Sequence, residues 1–405
     1  METSKPKLWS KDFILMSLIT FFIALTYFLT ITTIAGYAME GFNATEGIAG
    51  LAASVFVIGV LTFRILTGKY IDIIGRKKLL FIALILAFFC TLLYFLAGHL
   101  NLLLFIRFLH GAVVGIVLTV MQIAVIDIIP VKRQGEGISY YTLSFILATA
   151  IGPFLGLLMI QLASINMIFI TCTILTGIGI LLTLFITLPK VVIKKEQLEE
   201  LKGFHFSQFF EKKAISMSLI MTVLALCFSG IITFLASYSM EINLTYVASF
   251  FFVIYSVCIF ISRPITGRIL DTKGDNIVMY PAFILFAASF MVLGQANQGF
   301  TLILASILAG LGYGNLQSSI QAIAVKKAPP HRAGLAASTY FIFNDIGIGI
   351  GPFILGFFIP LIGYQNLYFS LSITVIVCAF AYYVIHGKQH AVKLKEPHTS
   401  HHTGA

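Results

Sequence analysis

The sequence predicts an all-α integral membrane protein in which twelve transmembrane helices form two six-helix bundles related by a parallel repeat. The prediction depends on the composition, on twelve long apolar segments and on stretches that occur twice. Hydrophobic residues make up 59% of the 405 residues, 38 residues are Phe, and the mean hydropathy is +0.99. A water-surrounded globule of this composition would expose far too much apolar surface, so we expect the chain to reside in lipid.

Twelve segments are long enough to cross a bilayer as helices. A spanning helix needs about 20 mostly apolar residues, because it crosses roughly 30 Å of hydrocarbon at about 1.5 Å per residue. The segments are continuous apolar runs, which favours helices over the alternating strands of a β-barrel. The first exceeds the apolar core of a signal peptide, so we expect it to be retained. The predicted spans are residues 12–38, 47–67, 79–97, 102–126, 137–161, 165–188, 214–238, 246–266, 277–295, 300–325, 334–360 and 365–386.

The charge distribution predicts the orientation. The chain has 26 Lys and Arg against 16 Asp and Glu, a net charge of +10. With both termini on one side, that side collects every basic residue except Arg107, and the opposite loops carry none. The positive-inside rule places both termini in the cytoplasm of a multi-pass plasma-membrane protein, which we expect to be bacterial. Topology therefore explains the positive charge, and we expect no nucleic-acid partner.

Two related halves are predicted by stretches that recur 199 residues apart. The stretch "RILTGKYIDIIGRKK" begins at Arg64, and "RPITGRILDTKGD" begins at Arg263. Gln122 matches Gln321 at the same offset, and "GPF" occurs at both 152–154 and 351–353. Repeats of this kind are typical of transporters whose halves are related by an axis normal to the membrane. We expect a first bundle at 1–188, a cytoplasmic linker at 189–213, a second bundle at 214–388 and a cytoplasmic tail at 389–405.

Three motifs carry a resemblance to a known family. The loop after span 2 fits G-x-x-x-D-[RK]-x-G-[RK]-[RK] except for Ile73, where a basic residue is usual, and span 4 carries an Arg followed by two glycines at four-residue steps. Span 5 carries a Gly-Pro-x-x-Gly element whose next position is Leu157 instead of a second Gly. The chain resembles major facilitator superfamily transporters over nearly its full length, and the third motif resembles the twelve-helix drug:proton antiporter branch. The matching residues are Gly68, Asp72, Gly75, Arg76 and Lys77 in the first motif, Arg107, Gly111 and Gly115 in the second, and Gly152, Pro153 and Gly156 in the third.

A conformational gate is predicted at the loop after span 2. Gly68, Asp72 and Arg76 follow one another at four-residue steps and so share one helix face, where the glycine permits another helix to approach. The family resemblance implies that this loop stabilises an outward-facing state, with Asp127 as the partner of Arg76. The alternative is that the basic residues only fix topology. The predicted gate residues are Gly68, Asp72, Gly75, Arg76, Asp127, Gly152 and Pro153.

Proton coupling is predicted at charged residues inside the spans. A lone charge near the bilayer centre costs on the order of 3 kcal/mol, so each such residue is a functional hypothesis. A buried carboxyl group such as Asp345 can exchange a proton near neutral pH, and a histidine such as His110 has an unperturbed pKa of about 6.5. The resemblance ties Arg107 to proton transfer. Three alternatives stay open: Asp345 could pair with a cytoplasmic-side Arg, Arg107 with a backbone or substrate carboxylate, and His110 could be a packing residue.

A substrate cavity is predicted between the halves near the midplane. Span 1 carries a polar stripe at helical spacing, span 10 carries another, span 4 adds Gln122, and span 7 adds Ser229 and Thr233. The alternative is that these groups bond helices to one another. The predicted binding residues are Thr30, Thr33, Tyr37, Gln122, Tyr313, Gln317 and Asn344.

The function predicted from these features is proton-coupled export of a drug or secreted metabolite by alternating access. The alternatives are an importer or facilitator of a small polar solute, or an exporter of a sugar or metal-chelating metabolite. We find no phosphate-binding loop and no catalytic motif, so we expect neither an ATP-driven pump nor an enzyme. The five cysteines lie in spans without C-x-x-C spacing, so no metal or other cofactor is expected. The expected partners are a small-molecule substrate, protons and the lipid bilayer, and we expect a monomer.

Overall fold

The computed structural model describes residues 8–130, 133–188, 210–329 and 332–388, without the side chains of residues 69, 72, 134–136 and 139. Helices account for almost all of these residues, and none of them lies in a strand. In this part of the chain, eleven helical segments are long and apolar enough to cross a membrane, and the last of them is interrupted at Gly363. The prediction of an all-α membrane protein is confirmed.

Gly363 divides the last long helix into two spans. Two helices meet within Ala333–Tyr382, because Gly363 has non-helical angles, with φ 75° and ψ 165°. We name them α11 (residues 333–362) and α12 (residues 364–382), so that twelve spans are present as predicted. The others are α1 Lys11–Phe42, α2 Glu46–Ile74, α3 Arg76–Leu93, α4 Leu100–Ile128, α5 Gln134–Leu162, α6 Ile165–Leu184, α7 Lys212–Glu241, α8 Phe251–Lys273, α9 Asp275–Gly294 and α10 Gly299–Lys327. Short helical turns at Tyr94–Leu96 and Thr245–Ser249 follow α3 and precede α8.

The repeat is visible in the turns between helices. Gly75 separates α2 from α3 with φ 93°, and Gly274 separates α8 from α9 with φ 95°. These residues are 199 positions apart, and a positive φ at this position favours glycine because a side chain would be strained there. Gly75, the second glycine of the first motif, is therefore needed for the tight turn that joins two antiparallel spans.

Helix packing repeats in the same way. A Cβ added at Gly111 on α4 would collide with the carbonyl of Phe56 on α2, and one at Gly310 on α10 with the carbonyl of Tyr255 on α8. Both pairs are related by the offset of 199. Glycine lets the two backbones touch, which is the main way that helices gain packing in a solvent as apolar as they are. The next turn of these helices repeats the contact, with Gly115 on Val60 and Gly314 on Ile259.

The two halves touch most closely away from the side that carries the chain termini, which we call the basic side. A Cβ at Gly50 on α2 would collide with the Pro352 carbonyl on α11, and the Phe353 amide donates to Ser54 Oγ over 3.1 Å. On the other flank Gln161 Nε2 at the end of α5 donates to Ser249 Oγ over 2.8 Å. These contacts hold the halves together on the side opposite the termini.

We expect Gly111→Ala to lower the free energy of unfolding by about 1–3 kcal/mol, because the added methyl group overpacks the α2–α4 contact. Gly36→Ala is the matched control, since a Cβ at Gly36 would meet no atom within 4 Å. Thermal unfolding of the detergent-solubilised chain measures both. Equal melting temperatures for the two variants would show that α2 and α4 do not pack this closely.

Candidate functional site

A group of polar side chains lies on α2, α8, α10 and α11, nearer to the basic side than the contacts at Gly50 and Ser54. Arg64 lies ten residues before the end of α2, and Arg263 lies ten residues before the end of α8. At about 1.5 Å per residue each is about 15 Å from its helix end. We call this group the polar layer, and its members are Arg64, Arg263, Gln317, Asn344 and Asp345.

An ion pair joins the halves within the polar layer. Arg64 Nη1 on α2 bonds to Asp345 Oδ2 on α11, and the two side chains are 22% and 21% exposed. The pair therefore lies at a partly accessible surface rather than in a sealed core. One helical turn nearer the basic side, a Cβ at Gly68 would meet no atom within 4 Å. The α2–α11 contact thus loosens beyond this pair.

The amide of Asn344 supports Asp345. Asn344 Nδ2 donates to Asp345 Oδ1 over 3.4 Å, while Asn344 Oδ1 is buried without a partner. An unpartnered buried oxygen is costly unless another donor reaches it. The Asp345 carboxylate therefore accepts hydrogen bonds from both halves, and Asn344 Oδ1 remains an unused acceptor.

A second arginine lies on α8. Arg263 Nη2 donates to Gln317 Oε1 on α10 over 3.3 Å, and Tyr340 Oη on α11 donates to the Gln317 carbonyl over 2.7 Å. Gln317, predicted as a binding residue, is half-buried here. The second half thus contributes a cation, an amide and a phenol to the layer.

Arg107 lies inside the first bundle. Its Nε donates to the Ala52 carbonyl over 2.9 Å, and its Nη1 donates to Thr30 Oγ1 and to Tyr94 Oη over 3.1 and 3.3 Å. The guanidinium lies 4.3 Å from the ring centroid of Phe56, and the side chain is fully buried. Arg107 therefore binds α1, α2 and the end of α3 together. Its bond to the Ala52 carbonyl agrees with the backbone partner that the sequence left open as an alternative.

His110 belongs to the same buried cluster. Its Nδ1 lies 3.1 Å from Tyr94 Oη, and its ring meets the Phe56 ring edge-on at a centroid distance of 5.2 Å. Neither His110 nor Arg107 makes a hydrogen bond to the polar layer. This geometry favours the packing role for His110 over proton coupling.

The span 1 stripe faces the interior of the first bundle, which corrects the expectation that it lines the cavity. Thr30 and Thr33 are fully buried, and their hydroxyls donate to the Thr26 and Leu29 carbonyls of their own helix over 2.9 and 2.8 Å. The Thr33 methyl group packs against Gly156 on α5. Since a threonine in a helix can satisfy its own hydroxyl, a polar stripe in lipid need not face water.

The remaining predicted cavity residues differ in their surroundings. Tyr37 is half-buried, with its ring against Phe169 of α6 at 5.6 Å. Tyr313 is buried and stacks on Phe228 at a centroid distance of 4.0 Å, so its ring belongs to the second bundle. Gln122 on α4 is exposed.

The predicted partner of Arg76 is confirmed. Arg76 Nη1 bonds to Asp127 Oδ2 at the end of α4, and Lys77 Nζ donates to the Ile186 carbonyl after α6 over 2.7 Å. The α2–α3 turn is therefore fastened to its neighbours on the basic side. The side chain of Asp72, also placed in the gate, is not among those described. In α5, Gly152 allows the helix to approach Phe28, and Pro153 lies within the helix.

The second half carries a related contact, in which a cation on α10 pairs with an acid on α8. Lys326 Nζ bonds to Asp271 Oδ1 over 2.8 Å, and the two side chains are 51% and 69% exposed. Lys326 is equivalent to Asp127 at the 199 offset, and Asp271 is equivalent to Asp72. Because exposed pairs contribute about 0–1 kcal/mol, this contact is weaker than that of the largely buried Arg76.

Sequence reasoning missed Arg64 and Arg263 as members of the site. Both arginines begin the repeated stretches, and both were interpreted only as topological charges. The signal was present in the spacing, since each arginine lies well inside an apolar span instead of at its end. Within the described residues, no cluster of three or more His, Cys, Asp or Glu could hold a metal ion.

Comparisons with known proteins identify the family. The profile of the Major Facilitator Superfamily matches residues 16–352, with a second match over 247–404. The chain is 24% identical over 348 residues to the staphylopine export protein of Staphylococcus aureus, covering 83% of this chain and 86% of that protein. It is 25% identical over 338 residues to the multi-drug resistance efflux pump PmrA of Streptococcus pneumoniae, covering 81% and 83%.

The fold also matches solved structures. A bacterial homologue of the human lysosomal transporter Spinster, crystallised in an inward-facing and unoccupied conformation, superposes with a TM-score of 0.78. The two chains are 13% identical, and the match covers 96% of this chain and 99% of that one. At this identity the likeness establishes the fold alone.

We expect a cysteine at Gln122 to react with a water-soluble maleimide, because this exposed polar side chain should face the aqueous cavity. In a background without the five native cysteines, Thr33→Cys should react slowly because it is buried, and Phe105→Cys because its exposed position on α4 faces lipid. Labelling rates in permeabilised membranes measure all three. Slow labelling at 122, matching that at 105, would place Gln122 against lipid.

Proposed function

This chain belongs to the major facilitator superfamily, and we propose that it is a proton-coupled exporter of a small organic molecule. It is a multi-pass membrane transporter, and we place both termini in the cytoplasm beneath the plasma membrane. The proposal makes the basic side the cytoplasmic side. Arg64–Asp345, the ion pair that joins the two halves, is the observation that carries it.

The pair supports proton coupling because its strength depends on one proton. An ionised Asp345 attracts Arg64 and accepts its hydrogen bond, whereas a protonated carboxyl group loses the Coulombic attraction. Partial exposure of both side chains gives a proton a route to the carboxylate. Binding and release of a proton at Asp345 would thus change the energy of the contact between α2 and α11.

The distribution of contacts supports alternating access. The halves meet at Gly50 and Ser54 on the outer side, while the α2 face at Gly68 and the equivalent α8 face at Gly267 meet no atom within 4 Å. We interpret this conformation as open to the cytoplasm, with Asp345 ionised and paired. In the outward-facing conformation the outer contacts would open, and α2 and α8 would approach the opposite half at these two glycines.

Export is favoured over import by two observations. The Gly152–Pro153 element resembles the antiporter branch, and two relatives that match most of the chain are named as an export protein and an efflux pump. Inward proton flow through Asp345 would then drive the substrate outward. A facilitator is the second candidate, and it requires Asp345 to be only a structural partner of Arg64.

We expect Asp345→Asn to abolish substrate-dependent proton release, because asparagine cannot carry a proton through the cycle. The assay uses inverted vesicles acidified inside, a pH-sensitive dye, and a panel of candidate drugs and metabolites. The signal should fall by about tenfold or more, given that the variant lacks the titrating group. Asp271→Asn is the matched control, since its carboxylate is exposed and lies outside the inter-half contact.

Substrate transport that responds neither to the gradient nor to Asp345→Asn would identify a facilitator. Retained proton release in Asp345→Asn, with the gradient still driving transport, would assign coupling to another residue.

We expect Gly68→Leu to reduce transport by about tenfold while the melting temperature stays within about 2 °C of wild type. The side chain has free space in this conformation, but it would obstruct closure of α2 on the opposite half. Transport in vesicles and thermal unfolding in detergent test the two parts separately. Full transport would remove Gly68 from the gate, and a large loss of stability would show that its face is already packed.

A further inference from the structure

Arg64 and Arg263 occupy equivalent positions in the two halves, 199 residues apart. Each lies on the helix that borders the opposite half, and each lies at the same depth. Their charges are compensated differently. Arg64 is paired with a carboxylate, whereas the hydrogen bond of Arg263 goes to a neutral amide.

The repeat explains why Arg263 has no internal acid. The partner of Arg64 is Asp345 on α11 of the second half. The equivalent position for Arg263 would be on α5 of the first half, and subtracting 199 from 345 gives Ile146. The sequence therefore retains the cation in both halves but the carboxylate in only one.

The surroundings of Arg263 leave donors free. Its Nη2 reaches Gln317 over 3.3 Å, a long bond, while its Nε is buried without a partner. Among the described residues, no carboxylate oxygen lies within 4 Å of this guanidinium. Arg64 Nε is also unpartnered, but the charge of Arg64 is met by Asp345.

Tyrosines near Arg263 complete a wall with both apolar and polar character. Tyr255 lies about two turns before Arg263 on α8, and Tyr340 on α11 bonds to the backbone of Gln317; both tyrosines are buried. Tyr340 is fixed through its bond to the Gln317 carbonyl. The amide of Gln317 accepts a hydrogen bond from Arg263 without neutralising its charge.

An uncompensated guanidinium inside a membrane protein is costly, because few waters replace its bulk hydration. A planar fork of donors matches a carboxylate, and hydrogen bonds between two charged groups are about twice as strong as those between neutral ones. A ligand oxyanion would supply the charge that Ile146 does not.

We infer that Arg263 binds a carboxylate or another oxyanion of the transported molecule. The inference rests on the proposed function, since it assigns a substrate class to the same central site. It predicts substrates that carry at least one negative charge. Such a group would lie opposite the Arg64–Asp345 pair in the pseudo-symmetric arrangement. The proton would therefore act at the α2–α11 interface and the substrate at the equivalent α5–α8 interface.

The test measures thermal unfolding of the full chain in detergent with matched pairs of small molecules, each an aromatic or N-acylated carboxylate and its primary amide. At least one carboxylate should raise the melting temperature above the rise given by its amide. Arg263→Gln should weaken that binding roughly 10- to 100-fold, the range expected for losing a hydrogen bond between charged groups. Arg268→Gln, an exposed arginine one turn further along the same helix, should bind as wild type does.

Inorganic sulfate is the comparison ligand. If organic carboxylates raise the melting temperature more than sulfate does, and the rise depends on Arg263, the result supports a substrate subsite. If sulfate raises it as much as the carboxylates do, this is an inorganic anion site and the substrate class is overturned. Amides that match their carboxylates throughout the panel would overturn the anion site. Carboxylate binding unchanged in Arg263→Gln would overturn the residue assignment.

Arg263→Lys keeps the charge but loses the fork, so it replaces the glutamine variant if that variant does not fold, and it should retain part of the carboxylate effect. Binding in detergent needs no proton gradient. If Arg263-dependent binding is found without proton coupling, the exporter proposal is rejected and the anion site is kept. If proton coupling is found without Arg263-dependent binding, only the anion site is rejected.

Discussion

The central constraint on this molecule is that charged side chains inside the bilayer must find their partners within the protein. Three intramembrane arginines meet it in three ways. Arg107 uses a carbonyl, a hydroxyl and a phenol and is sealed in one bundle. Arg64 pairs with a carboxylate of the other bundle, so it keeps this partner only while the two halves are adjacent. Arg263 uses one long bond to an amide. A static role thus belongs to the first arginine, and roles that change with conformation suit the other two.

The repeat is kept in the backbone and altered in the charges. Glycine contacts at Gly111 and Gly310 recur at matching positions, as do the left-handed turns at Gly75 and Gly274. Packing of this kind leaves little freedom, because any Cβ would strike a neighbouring backbone. Charged positions have more freedom, and the basic-side contact is Arg76–Asp127 in one half and Asp271–Lys326 in the other. A shared scaffold with unequal charges lets two similar halves bind different partners.

The sequence predicted the fold well because apolar length and glycine spacing are local properties. The twelve spans followed from apolar length alone, and the Arg76–Asp127 pair was implied by the family that the motif after span 2 resembles. The site was predicted less well, since helical periodicity says which residues share a face but not which neighbour that face meets. Thr30 and Thr33 share a stripe that turned out to face α4 and α5. Asp345 was found because it is a lone acid, but its partner is 281 residues away and only the assembled halves bring the two together.

The bend at Gly363 has a mechanical consequence. The single residue Gly363 connects α11 to α12, so a movement of α11 at the Asp345 ion pair is passed to a helix that exposes Ile373, Ile376, Val377 and Phe380. A tilt of α11 must either tilt α12 in the membrane or change the dihedral angles of a single glycine. Bilayer thickness and lateral pressure therefore act on the same pair of helices as the protonation of Asp345 does. The lipid therefore contributes to the energy of the conformational change, in addition to solvating the apolar helices.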